Sequence, residues 1–169
     1  MRVLQVIPSY PPTKAYTGPP ASLHRMCQEL RALGVDIRVA TTNDDGPRRL
    51  EVEADRWTEF EGVPVFYGNR WGGKGDLSPG LHRCIQQEGR TADLVHAAAI
   101  FSWPTLSASR ACRRSGTPLV VSPRGSFAPE ALAWRSGKKR VFMALGGRTA
   151  FAQARAFHAT TQREAMDVR

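Results

Sequence analysis

A chain of 169 residues with 41% hydrophobic and 23% charged residues can hold one domain with a real core and is too short for two ordinary ones. Its net charge of +9 favours nucleic acid, anionic membrane or anionic small molecules as partners without choosing among them. No apolar run approaches the ~18 residues of a spanning helix, and three distant cysteines (Cys27, Cys84 and Cys112) fit neither a disulfide framework nor a zinc site.

Val3 to Ile7 reads as a first strand, and Pro8 breaks it too soon for a signal peptide. Ser9 to Pro20 is a proline-rich loop. A helix is expected from Pro20 or Ala21 to Leu33, with Leu23, Met26, Cys27 and Leu30 on one face and Gly34 as its stop. Val35 to Thr41 alternates as a second strand, completing a βαβ unit. From Asn43 to Glu61 the pattern weakens to a turn at Asp44-Asp45-Gly46-Pro47 and an exposed loop or edge element. Val63 to Tyr67 predicts a strand made peripheral by Pro64, and Gly68 to Gly75 a mobile loop. A helix over Pro79–Gln87, a strand over Asp93–His96 and a helix over Ser102–Ser115 follow. In the last helix Trp103, Leu106 and Cys112 are the packing candidates. The cysteines read as small hydrophobes in a reducing cytoplasm.

Leu119-Val120-Val121, with a proline on either side, reads as a buried strand that stops by Pro123. Arg124-Gly125-Ser126 then leaves its carboxyl end, where ligands bind in open α/β sheets. A guanidinium beside a glycine suits an anionic or multiply oxygenated ligand, or else pairs with a carboxylate such as Glu130. A basic helical stretch from about Gly137 to Ala154, a strand at Ala156–Ala159 and a helix from Thr161, with Glu164 completing a capping box, end the chain. Because the sequence stops inside that helix, residues beyond 169 are expected.

Strands alternating with helices predict an α/β domain: a Rossmann-like, doubly wound, mainly parallel sheet with helices on both faces. The sequence carries no Gly-x-Gly-x-x-Gly after the first strand, no P-loop, no Gly-x-Ser-x-Gly elbow and no His/Cys cluster with metal spacing. Gly18, before the first helix, could let a diphosphate approach the helix amino terminus.

The order of these pieces resembles the amino-terminal, acceptor-side half of a retaining family-4 glycosyltransferase of the GT-B type, of the bacterial surface-polysaccharide kind. The resemblance rests on Val-Leu-Gln-Val-Ile-Pro-Ser-Tyr-Pro-Pro (3–12), the Gly18 loop, Asp93-Leu94-Val95-His96, Ser122-Pro123-Arg124-Gly125, Lys138-Lys139, and His158-Ala159-Thr160-Thr161 with Glu164. It implies a nucleoside-diphosphate sugar as co-substrate, a glycan or lipid-linked acceptor, no metal or other cofactor, and a donor-binding carboxyl-terminal domain absent from these 169 residues. Alone, the chain is then expected to be inactive. The resemblance further implies Arg124 and His96 as catalytic candidates and Gly18 as the donor-diphosphate loop. Arg124, Gly125, Ser126 and Trp103 become the acceptor-binding candidates, with Trp134 a second aromatic that could stack on a sugar. Paired glycines are common in the family's first loop, whereas here Gly18 precedes Pro19 and Pro20. Arg124 stands where many members have a histidine and, being always protonated, is unsuited to acid–base exchange. Lys138, Lys139 and Arg140 read either as a solvated helix face or as a contact for anionic lipid, which would place the protein in the cytoplasm at the inner membrane face. The rival reading is a non-catalytic carbohydrate- or nucleotide-binding module. A nucleic-acid partner is disfavoured, because no matching motif is present.

Overall fold

A computed structural model describes residues 1–73, 75–127 and 136–167, and their side chains except those of 136, 138, 139 and 145. Strands β1 (Arg2–Val6) and β2 (Asp36–Thr42) flank helix α1 (Gly18–Ala32), as the βαβ reading requires. A small hairpin follows, β3 (Asp44–Asp45) with β4 (Arg48–Arg49), then β5 (Trp57–Phe60) and β6 (Val63–Gly68). Next come α2 (Pro79–Glu88), β7 (Leu94–Ala98), α3 (Trp103–Ser115) and β8 (Leu119–Ser122). Helices α4 (Ser136–Phe142) and α5 (Arg148–Ala152), strand β9 (Ala156–Phe157) and helix α6 (Gln162–Asp167) close the order.

The main sheet has seven strands among the described residues, in the order β5-β6-β2-β1-β7-β8-β9. All neighbours are parallel except β5 with β6. From β1 the chain moves outward through β2 to β6, and α2 then returns it to β7 on the other side of β1. The strand order therefore reverses between β1 and β7, and a crevice opens there at the carboxyl ends. Residues of β1 alternate between two cores. Val3 packs with Leu23 and Cys27 of α1, while Leu4 and Val6 pack with Leu81 and Ile85 of α2 and Ala108 of α3. All three cysteines are buried and free, and burial pushes each thiol up to about 12. They are packing residues, as expected.

Several expectations are corrected. Helix α1 starts at Gly18, because the fixed φ of Pro19 and Pro20 suits a first helical turn; Gly18 is a helix residue and not a loop one. Strand β6 is interior. Its parallel ladder with β2 begins at Val65, so the missing N–H of Pro64 costs no bond there, and β5 covers its other side. The edge strand β5 turns into β6 through Glu61 and Gly62, with φ of 46° and 79°, both left-handed as in a type I′ hairpin. The stretch after β6 is fastened by Arg70, which is buried. The basic stretch from Gly137 to Ala154 is broken at a wide turn, Met143–Gly147, where Gly146 has φ 127°. Glu130 and Trp134 lie outside the described residues.

Candidate functional site

At the crevice between β1 and β7 lies a cleft of about 410 Å³, within the rough 300–1,000 Å³ range of small-molecule sites. Ile7 and Pro8 after β1, Ala99 and Phe101 after β7, and Pro19 and Pro20 of α1 supply its apolar surface. Ser9, Tyr16, Asp44 and Asp76 supply its polar side chains. Ala99 holds φ 67°, a costly value for a residue with a Cβ. It is kept there by an N–H donated to Ser122 O (3.2 Å) and by the Thr105 hydroxyl donated to its carbonyl (3.0 Å). Such strained residues concentrate at functional sites.

The two carboxylates differ. Asp44 is held on one oxygen by the buried Arg70 guanidinium and on the other by the Tyr16 hydroxyl (3.0 Å). Asp76 accepts the Trp103 N–H at the start of α3 (3.0 Å) and its own N–H. Burial raises its pKa; the Trp103 N–H and its own N–H work against this and the Asp44 charge adds to it.

A second cluster, centred on Arg124, sits beside the cleft over the ends of β7, β8 and β9. Arg124 and Gly125 leave β8 with φ of 53° and 76°. Glu164 fastens this turn: one oxygen accepts the Gly125 N–H (2.6 Å) and the other accepts the Thr160 N–H (2.6 Å) and hydroxyl (2.8 Å). Burial would raise the Glu164 pKa, but these donors and the Arg124 charge hold it below the usual carboxylate range. The Thr161 hydroxyl accepts the Glu164 N–H (3.1 Å), which is half of the expected capping box. The Glu164 carboxylate is used on the neighbouring loop instead. Arg124 Nη1 donates to the Ser22 hydroxyl on α1 (3.1 Å), while its buried Nε has no partner among the described residues. Burial pushes its pKa down and Glu164 opposes that.

Beneath Arg124 runs a chain of three side chains. Pairing of β1 with β7 sets Gln5 beside His96. The Gln5 amide N–H donates to Val6 O (3.2 Å), so its Oε1 is free to accept from His96 Nδ1 (2.6 Å). That fixes the Nδ1–H tautomer of His96, whose bare Nε2 accepts from His158 Nδ1 (3.0 Å). Burial, with His158 and Arg124 nearby, lowers the His96 pKa to about 3, and burial and Arg124 lower that of His158. Both rings are neutral at ordinary pH.

Of the residues singled out from the sequence, Arg124 is brought to α1, where it meets Ser22, one turn on from Gly18. His96 is buried, with both ring nitrogens bonded, one layer below the surface. The Gly125 N–H is taken by Glu164, and the Ser126 hydroxyl donates to Pro123 O (2.6 Å). Trp103 is half-buried with the Arg110 guanidinium 5.4 Å from its ring centre. Lys138, Lys139 and Arg140 fall in α4, where Arg140 is exposed. Asp76 was missed because it stands in no motif, and His158, although part of the His158-Ala159-Thr160-Thr161 piece, carried no role of its own. Another cleft, of about 440 Å³ and including Arg113 and Arg155, opens at the amino end of β8, away from the ligand edge. No group of three or more His, Cys, Asp or Glu among the described residues is placed to hold a metal.

Residues 17–169 match the family described as the glycosyl transferase 4-like domain. No curated protein matches the chain. Among solved structures it is similar to Anabaena Alr3699/HepE, in complex with UDP-glucose and with UDP and glucose, at a TM-score of 0.63 and 20% identity over 99% of this chain and 40% of that one. It is also similar to UDP-GlcNAc 2-epimerase from Methanocaldococcus jannaschii, at a TM-score of 0.55 and 10% identity over 99% of this chain and 42% of that one. The chain thus spans about two fifths of the length of these structures. At such identities the likeness is one of fold, and the fold is the expected Rossmann-like half of a GT-B architecture.

Proposed function

This chain belongs to the glycosyl transferase 4-like domain family, and from that premise we propose that it is the acceptor-side half of a retaining glycosyltransferase. The enzyme would move a sugar from a nucleoside-diphosphate sugar to a glycan or lipid-linked acceptor, in the assembly of a surface polysaccharide. The observation that carries this reading is the separation of charge along one sheet edge: Arg124 on one side of the first turn of α1, a cleft with two carboxylates on the other. The UDP-glucose held by the Anabaena protein supports a nucleotide sugar as the donor class.

As the sugar leaves its diphosphate, negative charge grows on the bridging oxygen, and cations and N–H groups aimed there lower the barrier. Pro19 and Pro20 have no N–H, and that of Ala21 donates to Thr17 O (3.3 Å), so the first turn of α1 offers the diphosphate little beyond Gly18. Arg124, half-buried at this turn, supplies the missing donors. His96 acts as a positioning residue: it sets the tautomer of His158 below Arg124 and adds no second positive charge. The remaining groups for transfer come from a donor-side domain. Losing that positioning is worth many powers of ten in rate, which leaves this half alone inactive. Arg140 and Val141, both exposed on α4, support a peripheral contact of that helix with the anionic lipid surface that carries the acceptor.

The test is a UDP titration of the 169-residue chain followed by amide NMR shifts. Gly18, Arg124 and Gly125 are expected to move, with a dissociation constant on the order of 1 mM, as a few charge-assisted contacts supply. Arg124→Ala should weaken binding about tenfold or more, the loss of one such contact. A Cβ on Gly18 would meet nothing within 4 Å, so a loss in Gly18→Val reports ligand approach and not packing. Shifts that spare these residues, or an affinity unchanged in Arg124→Ala, would contradict the assignment.

A further inference from the structure

Resting on that reading, we infer that the cleft between β1 and β7 takes an uncharged sugar residue of the acceptor, and that Asp76 selects it. No Lys, Arg or His stands among the described residues that line the cleft, although the chain as a whole carries +9. Asp44 is already committed to Arg70 and Tyr16. Asp76 is less so: a carboxylate has about four acceptor positions, and the Trp103 N–H and its own N–H take two. The vacant positions suit ligand hydroxyl groups, which donate to a carboxylate as readily as water does.

The apolar surface fits the same ligand. Phe101 is half-buried, fixed edge-on by Phe127 and Phe142 with ring centres 6.4 and 5.5 Å away. Beside Ile7 and Pro19 it offers a flat apolar patch for the C–H face of a pyranose. A uronic acid or a sugar phosphate would bring its charge next to Asp76 with no cation among the described residues of the wall to meet it. The Arg70 charge is 97% enclosed behind Asp44 and spent on it. Selection therefore works by repulsion as much as by attraction.

The probes are the methyl α-glycosides of glucose, galactose and mannose, each beside its own glycosiduronate, titrated into the 169-residue chain and followed by amide shifts. At least one neutral glycoside is expected to shift Asp76, Ala99 and Trp103 saturably, and to bind about tenfold or more tighter than its uronate, as like-charge contact dictates. Asp76→Asn keeps an acceptor for the Trp103 N–H and should erase that preference. A uronate that binds as well as its neutral partner overturns the inference. So does a panel in which no glycoside saturates these residues, or a preference that survives Asp76→Asn. The UDP shifts at Gly18 and Arg124 are read on the same samples: where they persist and the sugar preference fails, only this inference falls, and where they are absent the transferase reading fails with them.

Discussion

His96 shows what one residue contributes to this edge. It sits 7% exposed, donating to Gln5 and accepting from His158, an arrangement only the neutral ring can make. Its folded pKa of about 3 lies below the ~6.5 of an unfolded histidine. Between those values the unfolded chain takes up a proton that the folded chain refuses, so stability rises with pH across the window and is lost as pH falls through it. From pH 7 to pH 4.5 the loss is on the order of 2–3 kcal/mol, or roughly 5–10 °C in Tm for a domain of this size. His158 adds to it with the same sign, while Glu164, its pKa lowered, contributes only below about pH 4.3. In thermal melts His96→Asn, which can still donate to Gln5, should flatten most of the slope between pH 7 and 4.5. A variant whose melting points fall in parallel with those of the parent would show that another group sets it. The sequence marked His96 as ending a strand at the ligand edge. Its partner Gln5 could not be read, because that pairing depends on the register of two strands about 90 residues apart.

At the scale of elements, the local signals that the sequence carries strongly are those found. Ser78 caps α2 through the Leu81 N–H (3.1 Å), Ser102 caps α3 through the Thr105 N–H (3.3 Å), and Gly116 ends α3 in the left-handed conformation. What was illegible lies between Asp44 and Arg70. The turn of β5 into β6 uses Glu-Gly where Asn-Gly would have announced it, and the hairpin of β3 and β4 is held by a residue some two dozen positions later. Arg70 reaches Asp44, Gly46 O (2.7 Å) and Pro47 O (3.5 Å) from a buried position. That makes the wall of the cleft depend on a buried ion pair. Arg70→Met should leave Asp44 buried and unpaired, at a cost of about 3–5 kcal/mol. The double change Arg70→Met with Asp44→Leu should recover a good part of it, because a buried pair replaced by apolar groups is often nearly neutral. Chemical denaturation measures both. A single variant as stable as the parent would mean that the pair does not hold the loop.

For the whole molecule, the doubly wound order was legible from the alternation of strands and helices, and with it the edge where a ligand belongs. The division of that edge was not. Arg124 stood out beside its glycine, whereas Asp76 follows a glycine-rich stretch that reads only as a loop and becomes part of a cleft when α3 sets its first N–H against it. Sugar transfer demands that an anion and an acceptor be held side by side at one time. Under the proposed function, the Arg124 turn and the acidic cleft on either side of the first turn of α1 would meet that demand. The most direct measurement is a titration of UDP into the chain already saturated with a neutral methyl glycoside. UDP is expected to move Gly18, Arg124 and Gly125 while the glycoside stays on Asp76, Ala99 and Trp103, with neither affinity reduced; displacement of the glycoside by UDP would place both ligands in one compartment and contradict the two-site arrangement.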